Sequence, residues 1–189
     1  MSFPKLIVDS KIFKKDLKVL DVGTGGFCGR NTLDQYINLI DYKNIYCIEY
    51  NKERYENLCK KYINKYKDIK FYLGDFFNYD FNTVFNIVIC DLDSSIFLNR
   101  FDEEISKAES LISKNGYIII MALGDLNNIK TLTCDTKIIN EYTDSYKNIW
   151  KTNNITDKII QNKINKNLKV INSFDHTNFT RYVLIQKLN

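Results

Sequence analysis

Five short apolar segments recur along the chain, and each is separated from the next by a longer, more polar stretch. They span residues 18–22, 45–50, 69–73, 84–90 and 116–123. Nearly continuous apolar runs of this length predict strands of a parallel sheet that is covered on both faces. The polar spacers are long enough for the helical crossovers that parallel strands need, so the pattern predicts an α/β fold.

The first predicted strand runs into a glycine-rich turn. Gly23 and Gly25 can adopt positive φ and carry no Cβ, so the backbone there can reverse sharply and approach a ligand. The helix expected at about 30–40 would direct its free N–H groups at that ligand. Such turns also connect ordinary strand–helix units, and the turn alone leaves both interpretations open.

Acidic residues at the ends of later strands favour ligand binding. Glu49 ends the second strand, where an acid in nucleotide-binding α/β folds accepts hydrogen bonds from ribose hydroxyls. Asp75 follows the third strand beside Phe76, a pair that suits the amine and the ring face of an adenine. Asp91 ends the fourth strand, at the sheet edge where open α/β folds bind their ligands.

The whole series resembles the class I S-adenosylmethionine-dependent methyltransferase family over about residues 18–188. The resemblance rests on Asp21-x-Gly23-x-Gly25, on Glu49 and Asp91 at their strand ends, and on Gly74-Asp75 after the third strand. It implies an α/β fold, a single-domain three-layer sandwich with a seven-stranded, mostly parallel sheet. An antiparallel C-terminal hairpin formed by 168–174 and 181–187 would close that sheet.

The resemblance also implies S-adenosyl-L-methionine as the cofactor. Asp21 and the glycine turn would face its methionine moiety, Glu49 its ribose and Asp75 its adenine. The cofactor-binding residues implied in this way are Asp21, Gly23, Thr24, Gly25, Gly26, Glu49, Tyr50, Asp75, Phe76 and Asp91.

The turn departs from the family pattern at its third glycine, which is Phe27 here, although Gly26 and Gly29 lie close by. A nicotinamide dehydrogenase is the competing interpretation of the same fold, and its third glycine would fall on Cys28. Both patterns therefore lack their last glycine. The Gly74-Asp75 pair and the terminal hairpin favour methyl transfer.

Length and composition agree with one compact domain over 1–189, with a cap segment at 1–17 and a helical, partly basic insertion at 125–167. A chain of 189 residues, 44% of them hydrophobic, can form a single core and is not expected to be disordered. The sequence shows no membrane span and no signal-peptide pattern, so we expect a cytoplasmic protein without a membrane partner.

The five cysteines are odd in number and lack paired spacing, so we expect neither a disulfide framework nor a metal site. Cys47 and Cys90 lie inside predicted strands and are expected to be buried there. The aromatic residues Tyr142, Tyr146 and Trp150 follow helical spacing and are expected to be core more than a substrate platform.

Basic charge is concentrated at 151–170, where five lysines accompany one acid. RNA phosphate could bind such a segment. The spacing of Ile155, Ile159, Ile160 and Ile164 instead predicts a helix with an apolar inner face and a solvated basic face. The run lacks arginine and interleaved exposed aromatics, which favours the solvated face.

The sequence lacks several motifs that mark methyltransferases of particular acceptors, and this limits the choice of methyl acceptor. Pro4 is the only proline, which excludes the Asp/Asn-Pro-Pro-Tyr/Phe motif of amino-group base methyltransferases and the Pro-Cys of cytosine-C5 enzymes. The lysine–aspartate–lysine–glutamate set of ribose 2′-O enzymes is also absent. We therefore expect methylation of an oxygen or nitrogen of a small molecule, with RNA as a further acceptor through the lysines of 151–170. Oligomeric state stays open.

Three residues are candidates for catalysis. Asp91 and Asp93 lie close enough in sequence to share a proton, which would make one of them a general base. Asp93 could instead cap the following helix. His176, in the loop before the last strand, has a side chain that ordinarily titrates near neutrality, but an exposed turn residue is the alternative.

Two other functions remain compatible with the sequence. An aminopropyltransferase shares the fold and has an acidic, serine-containing stretch similar to residues 91–95. A non-catalytic binding or scaffold protein is the second, and Phe27 in place of glycine would permit it. Cofactor binding separates the scaffold from an enzyme, and decarboxylated cofactor separates the aminopropyltransferase from a methyltransferase.

Overall fold

The computed structural model describes residues 11–24, 32–91, 100–123, 144, 147, 156–175 and 180–188. Its strands are β1 (Val19–Val22), β2 (Ile45–Glu49), β3 (Lys70–Leu73), β4 (Phe85–Asp91), β5 (Ile112–Leu123), β6 (Leu168–Asp175) and β7 (Thr180–Lys187). The α-helices within these residues include α1 (Leu33–Tyr36), α2 (Lys52–Tyr62), α3 (Phe101–Leu111) and α4 (Asp157–Lys163). Short 3₁₀ turns cover Ile37–Leu39 and Tyr42–Asn44.

Within the described ranges, the strands form one sheet of seven in the order β3-β2-β1-β4-β5-β7-β6. Strands β1 to β5 pair in parallel, and β7 lies between β5 and β6 and is antiparallel to both. The predicted α/β sandwich with its seven-stranded, mostly parallel sheet and antiparallel C-terminal hairpin is confirmed. The order reverses beside β1, so the carboxyl ends of β1 and β4 are neighbours, with Val22 paired to Cys90.

The core lies on both faces of the sheet because alternate strand residues point to opposite sides. On one face Leu20, Val88 and Ile120 pack with residues of α3 and α4. On the other face Val19 and Ile89 pack with residues of α1 and α2. Burial on both faces explains why these strands are apolar almost throughout.

Several element boundaries differ from the sequence prediction. The helix expected at 30–40 is described as the short α1 followed by a 3₁₀ turn, and the helix expected at 52–67 ends at Tyr62. After Tyr62 the chain forms turns, and Ile63 is 45% exposed there. Strand β5 begins at Ile112 instead of Gly116, because Ile112 pairs with Phe85 ahead of a register shift in β4.

Two local predictions are confirmed. Cys47 and Cys90 are buried free thiols. Ile160 of α4 and Ile164 just after it are buried in the core, as their spacing predicted, and Ile159 is partly buried. Ile155 lies outside the described residues. None of the helices in the described ranges is long and apolar enough to cross a lipid bilayer.

Candidate functional site

Backbone hydrogen bonds connect the carboxyl ends of three neighbouring strands. The Gly23 N–H, just after β1, donates to the carbonyl of Ile48 at 2.9 Å, and the Gly74 N–H, just after β3, donates to the carbonyl of Glu49 at 3.0 Å. Gly23 has φ 73°, a conformation that glycine adopts without steric cost. The turn after β1, the acid that ends β2 and the acid that follows β3 are therefore held at one edge of the sheet.

Asp21 occupies the third position of β1, and its side chain is completely buried. One carboxylate oxygen, Oδ2, accepts a hydrogen bond from Thr32 Oγ1 at 2.6 Å and another from the Tyr36 hydroxyl at 2.8 Å. The other oxygen, Oδ1, is buried and receives no hydrogen bond from the part of the chain that the structure describes. Thr24, also buried, donates its hydroxyl to the Asp21 backbone carbonyl at 3.0 Å.

Burial raises the pKa of the Asp21 carboxyl from 3.8 to about 7. Hydrogen bonds from Thr32 and Tyr36 lower the pKa, and the nearby charge of Glu49 raises it, but the loss of solvent outweighs both. Perturbed carboxyl groups of this kind concentrate at functional sites. Asp21 is thus a buried acid with only one of its two carboxylate oxygens hydrogen-bonded by described residues, and it lies just before the turn where a cofactor was predicted.

Glu49 is the last residue of β2 and is only 2% exposed. Its Oε1 accepts a hydrogen bond at 2.9 Å from the backbone N–H of Asn51, the residue that caps α2 through its own side chain. The carboxylate is therefore fixed at the junction between β2 and α2. Tyr50, between them, is 64% exposed, and its ring is accessible to a ligand or to solvent.

Asp75 forms a local turn beyond β3. Its Oδ1 accepts from the Phe77 N–H at 3.0 Å, and its Oδ2 accepts from Asn78 Nδ2 at 2.8 Å. The carboxyl group is exposed, so both oxygens retain lone pairs for a further donor. Phe76 is 5% exposed and belongs to the core, with its ring 5.7 Å from the Phe77 ring. Its contact with adenine stays a prediction, as does that of Asp75.

No known family model matches the sequence, and no curated protein is similar to it in sequence. Solved structures are similar in fold. A SAM-dependent methyltransferase from Methanosarcina mazei matches with a TM-score of 0.67 at 14% identity, covering 100% of this chain and 99% of that chain. An rRNA methylase from Streptococcus thermophilus matches with a TM-score of 0.59 at 13% identity, covering 100% and 99%.

The N-methyltransferase NodS from Bradyrhizobium japonicum WM9, in complex with S-adenosyl-L-homocysteine, matches with a TM-score of 0.62 at 7% identity, covering 92% of this chain and 79% of that chain. This chain has the class I methyltransferase fold. Identities this low establish the fold alone, and the activity must be argued from the site.

Within this methyltransferase fold, β4 carries Asp91 to the same sheet edge as β1, and the Asp91 side chain lies outside the described residues. Other predicted residues of the turn and of the catalytic set also lie outside them: Gly25, Gly26, Phe27, Asp93 and His176. The same holds for the aromatic residues Tyr142, Tyr146 and Trp150.

The methyltransferase fold also contains site residues that the sequence did not reveal. Thr32, just before α1, and Tyr36, the last residue of α1, both donate hydrogen bonds to Asp21, and their i,i+4 spacing after the turn was the available signal. Arg100, at the start of α3, places its guanidinium carbon 3.4 Å from the Phe77 ring centroid and pairs with Glu103. Arg100 thereby packs the start of α3 against the turn that Asp75 forms.

Proposed function

We propose that this protein binds S-adenosyl-L-methionine at the carboxyl edge of β1, β2 and β3 and transfers its methyl group to an oxygen or nitrogen of a small molecule. The observation that carries the proposal is a pair of buried acids, Asp21 and Glu49, at the ends of adjacent strands of a methyltransferase fold. Asp21 retains a buried carboxylate oxygen that no described residue satisfies.

The residues at this edge fit the functional groups of the cofactor. An ammonium suits the unsatisfied oxygen of Asp21, because a buried carboxylate oxygen without a donor is costly. A ribose diol suits the fixed carboxylate of Glu49, and an adenine amine suits the exposed carboxylate of Asp75. When bound, the cofactor supplies an electrophilic methyl group on a sulfonium.

For the chain's own residues, the main tasks are to align the acceptor and to exclude water. Asp91 is the last residue of the central strand β4, at the same edge, and is the favoured group to accept a proton from a hydroxyl or amine acceptor. Asp93 and His176 are the further candidates. Replacing Asp91 with Asn should therefore lower turnover.

The burial and ion pairing of α4 and the residues after it favour a small-molecule acceptor over RNA. Its apolar face is buried through Ile160, and Lys163 pairs with Asp102 at 3.0 Å. The lysines of this segment that remain exposed in the described ranges are Lys158, Lys166 and Lys169. Exposed lysines beside a buried apolar face are typical of a solvated helix, which favours a small-molecule acceptor over RNA.

Equilibrium titration with S-adenosyl-L-methionine and S-adenosyl-L-homocysteine tests cofactor binding. Glu49→Ala should weaken affinity by about tenfold to a hundredfold, because a hydrogen bond to a charged group contributes about 1.5–3 kcal/mol. Glu53→Ala, an exposed acid in the first turn of α2, is the matched control and should bind as the wild type does. No binding by the wild type would overturn the proposal and favour a scaffold role.

A second assay identifies the reaction. Methyl-labelled cofactor is incubated with the protein and either a small-metabolite fraction or total RNA, and the labelled product is located. Label in the small-molecule fraction supports the proposal, and label in RNA alone would contradict its acceptor class. Transfer of an aminopropyl group from decarboxylated cofactor would instead identify an aminopropyltransferase.

A further inference from the structure

A small polar cluster is buried where β1 meets α1. It consists of the Asp21 carboxylate and its two hydroxyl donors, Thr32 and Tyr36. Both donors bind the same oxygen, Oδ2, and Tyr36 is fully buried against the sheet. Hydrogen bonding is thus concentrated on one side of the carboxylate, while Oδ1 receives no hydrogen bond from any described group.

Among the described residues, the groups that face Asp21 leave its negative charge uncompensated. From β1 and its turn comes the hydroxyl of Thr24, from α1 the hydroxyls of Thr32 and Tyr36, and from β2 the carboxylate of Glu49. The thiol of Cys47 on β2 also lies near it, and burial raises the pKa of that thiol well above its ordinary range. These neighbours supply hydrogen bonds and one further negative charge, and none of them is a cation.

An asymmetric arrangement of this kind orients a carboxylate. The hydrogen bonds from Thr32 and Tyr36 occupy Oδ2, so Oδ1 is left as the remaining acceptor of this buried carboxylate. We propose that Tyr36 and Thr32 are positioning residues that hold Asp21 so that its Oδ1 accepts a hydrogen bond from the cationic amino group of the bound cofactor. This inference rests on the proposed function.

Proton release on binding is the direct consequence. Without ligand, burial raises the pKa of Asp21 to about 7. Its carboxyl group is therefore mostly protonated at pH values below that pKa. A nearby ammonium strongly favours the ionised form of a carboxyl group over the neutral acid, so the proton on Asp21 should leave to solvent when the cofactor binds. Affinity should therefore fall by about tenfold per pH unit as pH drops below the pKa of Asp21.

The decisive experiment is the pH profile of cofactor binding between pH 5.5 and about 7.5, below the range of about 7.7–8.0 in which an α-amino group loses its own proton. Calorimetry in two buffers with different ionisation enthalpies measures the protons released. The wild type should release close to one proton at pH 6 and much less at pH 7.5. A pH-independent affinity would overturn the inference and leave the proposed function standing.

Tyr36→Phe isolates the positioning role. Loss of this hydroxyl removes a hydrogen bond that lowers the pKa of Asp21, so the midpoint of the binding profile should move to higher pH. Tyr62→Phe is the matched control, because Tyr62 is a neighbouring buried tyrosine whose hydroxyl donates to Asp34 instead. An unmoved midpoint in Tyr36→Phe, or an equal shift in Tyr62→Phe, would contradict the inference.

Substitutions at Thr32 give an independent test if Tyr36→Phe folds poorly. Thr32→Ser keeps the hydroxyl and should keep the wild-type midpoint, whereas Thr32→Val should move it upward as Tyr36→Phe does. NMR titration of the Asp21 carboxyl carbon in ligand-free protein gives the same shift without cofactor. If the wild type binds the cofactor at no pH, the proposed function fails and this inference with it, an outcome distinct from pH-independent binding.

Discussion

Replacing Asp21 with Asn should stabilise the protein at neutral pH. In the native protein the pKa of Asp21 is raised from 3.8 to about 7, chiefly by burial. The folded state therefore holds a proton that the unfolded chain has already released, and stability falls as pH rises between these two values. Below the pKa of the unfolded chain Asp21 is protonated in both states, and its ionisation does not destabilise the fold. Above the pKa of the folded state Asp21 is ionised in both states, and the full cost of burying its charge is present.

The size of this effect follows from the shift. Each pKa unit corresponds to about 1.36 kcal/mol, so a shift of roughly three units costs about 4 kcal/mol above pH 7. Asn carries no charge and avoids that cost, but its amide donor would lie where Oδ1 now lies without a described partner. An unsatisfied buried donor costs about 1–3 kcal/mol. The net expectation is a gain of about 1–3 kcal/mol at pH 8, which shrinks and reverses toward pH 4.

Urea denaturation of both proteins at each pH unit from 5 to 8 measures the difference in unfolding free energy. Between pH 5 and pH 7 the wild type should lose about 2–3 kcal/mol relative to Asp21→Asn. Asp16→Asn is the control, because it removes an exposed carboxylate and leaves the buried cluster intact. A stability difference that stays constant across this range would refute the reasoning. Asp21→Asn should also bind the cofactor more weakly, so the wild type gives up stability for function at this position.

The remaining predictions concern packing and the Asp75 turn. Gly116→Ala should destabilise the protein by about 1–3 kcal/mol in urea denaturation, because an added Cβ would lie 2.9 Å from the carbonyl oxygens of Asn86 and Ser113; unchanged stability would contradict this contact. Ile160→Ala should cost about 2–5 kcal/mol because this side chain is fully buried, and a cost below 1 kcal/mol would show that α4 is not docked as described. Asp75→Ala should weaken cofactor binding by about tenfold in calorimetry, and wild-type affinity would remove Asp75 from the site.

The strands could be predicted from the sequence because burial on both faces makes them apolar throughout. Strand β4 was predicted at 84–90 and observed at Phe85–Asp91, a difference of one residue at each end. Helix ends were less predictable, since Tyr66 follows Tyr62 at helical spacing and also packs against the core, yet α2 ends at Tyr62. The early start of β5 depends on pairing with β4 across a register shift, which is a tertiary effect.

In the candidate site, too, some residues could be predicted from the sequence and others could not. The positions of Asp21, Glu49 and Asp75 followed from strand ends, because parallel strands bring their carboxyl ends to one edge. The partners of Asp21 were not predicted, since Thr32 would ordinarily cap a helix through its own hydroxyl, and here it donates to Asp21 instead. The contact of Arg100 with Phe77 joins residues distant in sequence, and no local pattern indicates it.

The location of the bound cofactor tests the central claim most directly. A crystal structure of the protein with S-adenosyl-L-homocysteine should show the ribose hydroxyls on Glu49, the adenine beside Asp75 and the amino group within hydrogen-bond distance of Asp21 Oδ1. A ligand bound elsewhere on the protein, or one that leaves both Glu49 and Asp21 without contact, would contradict the account.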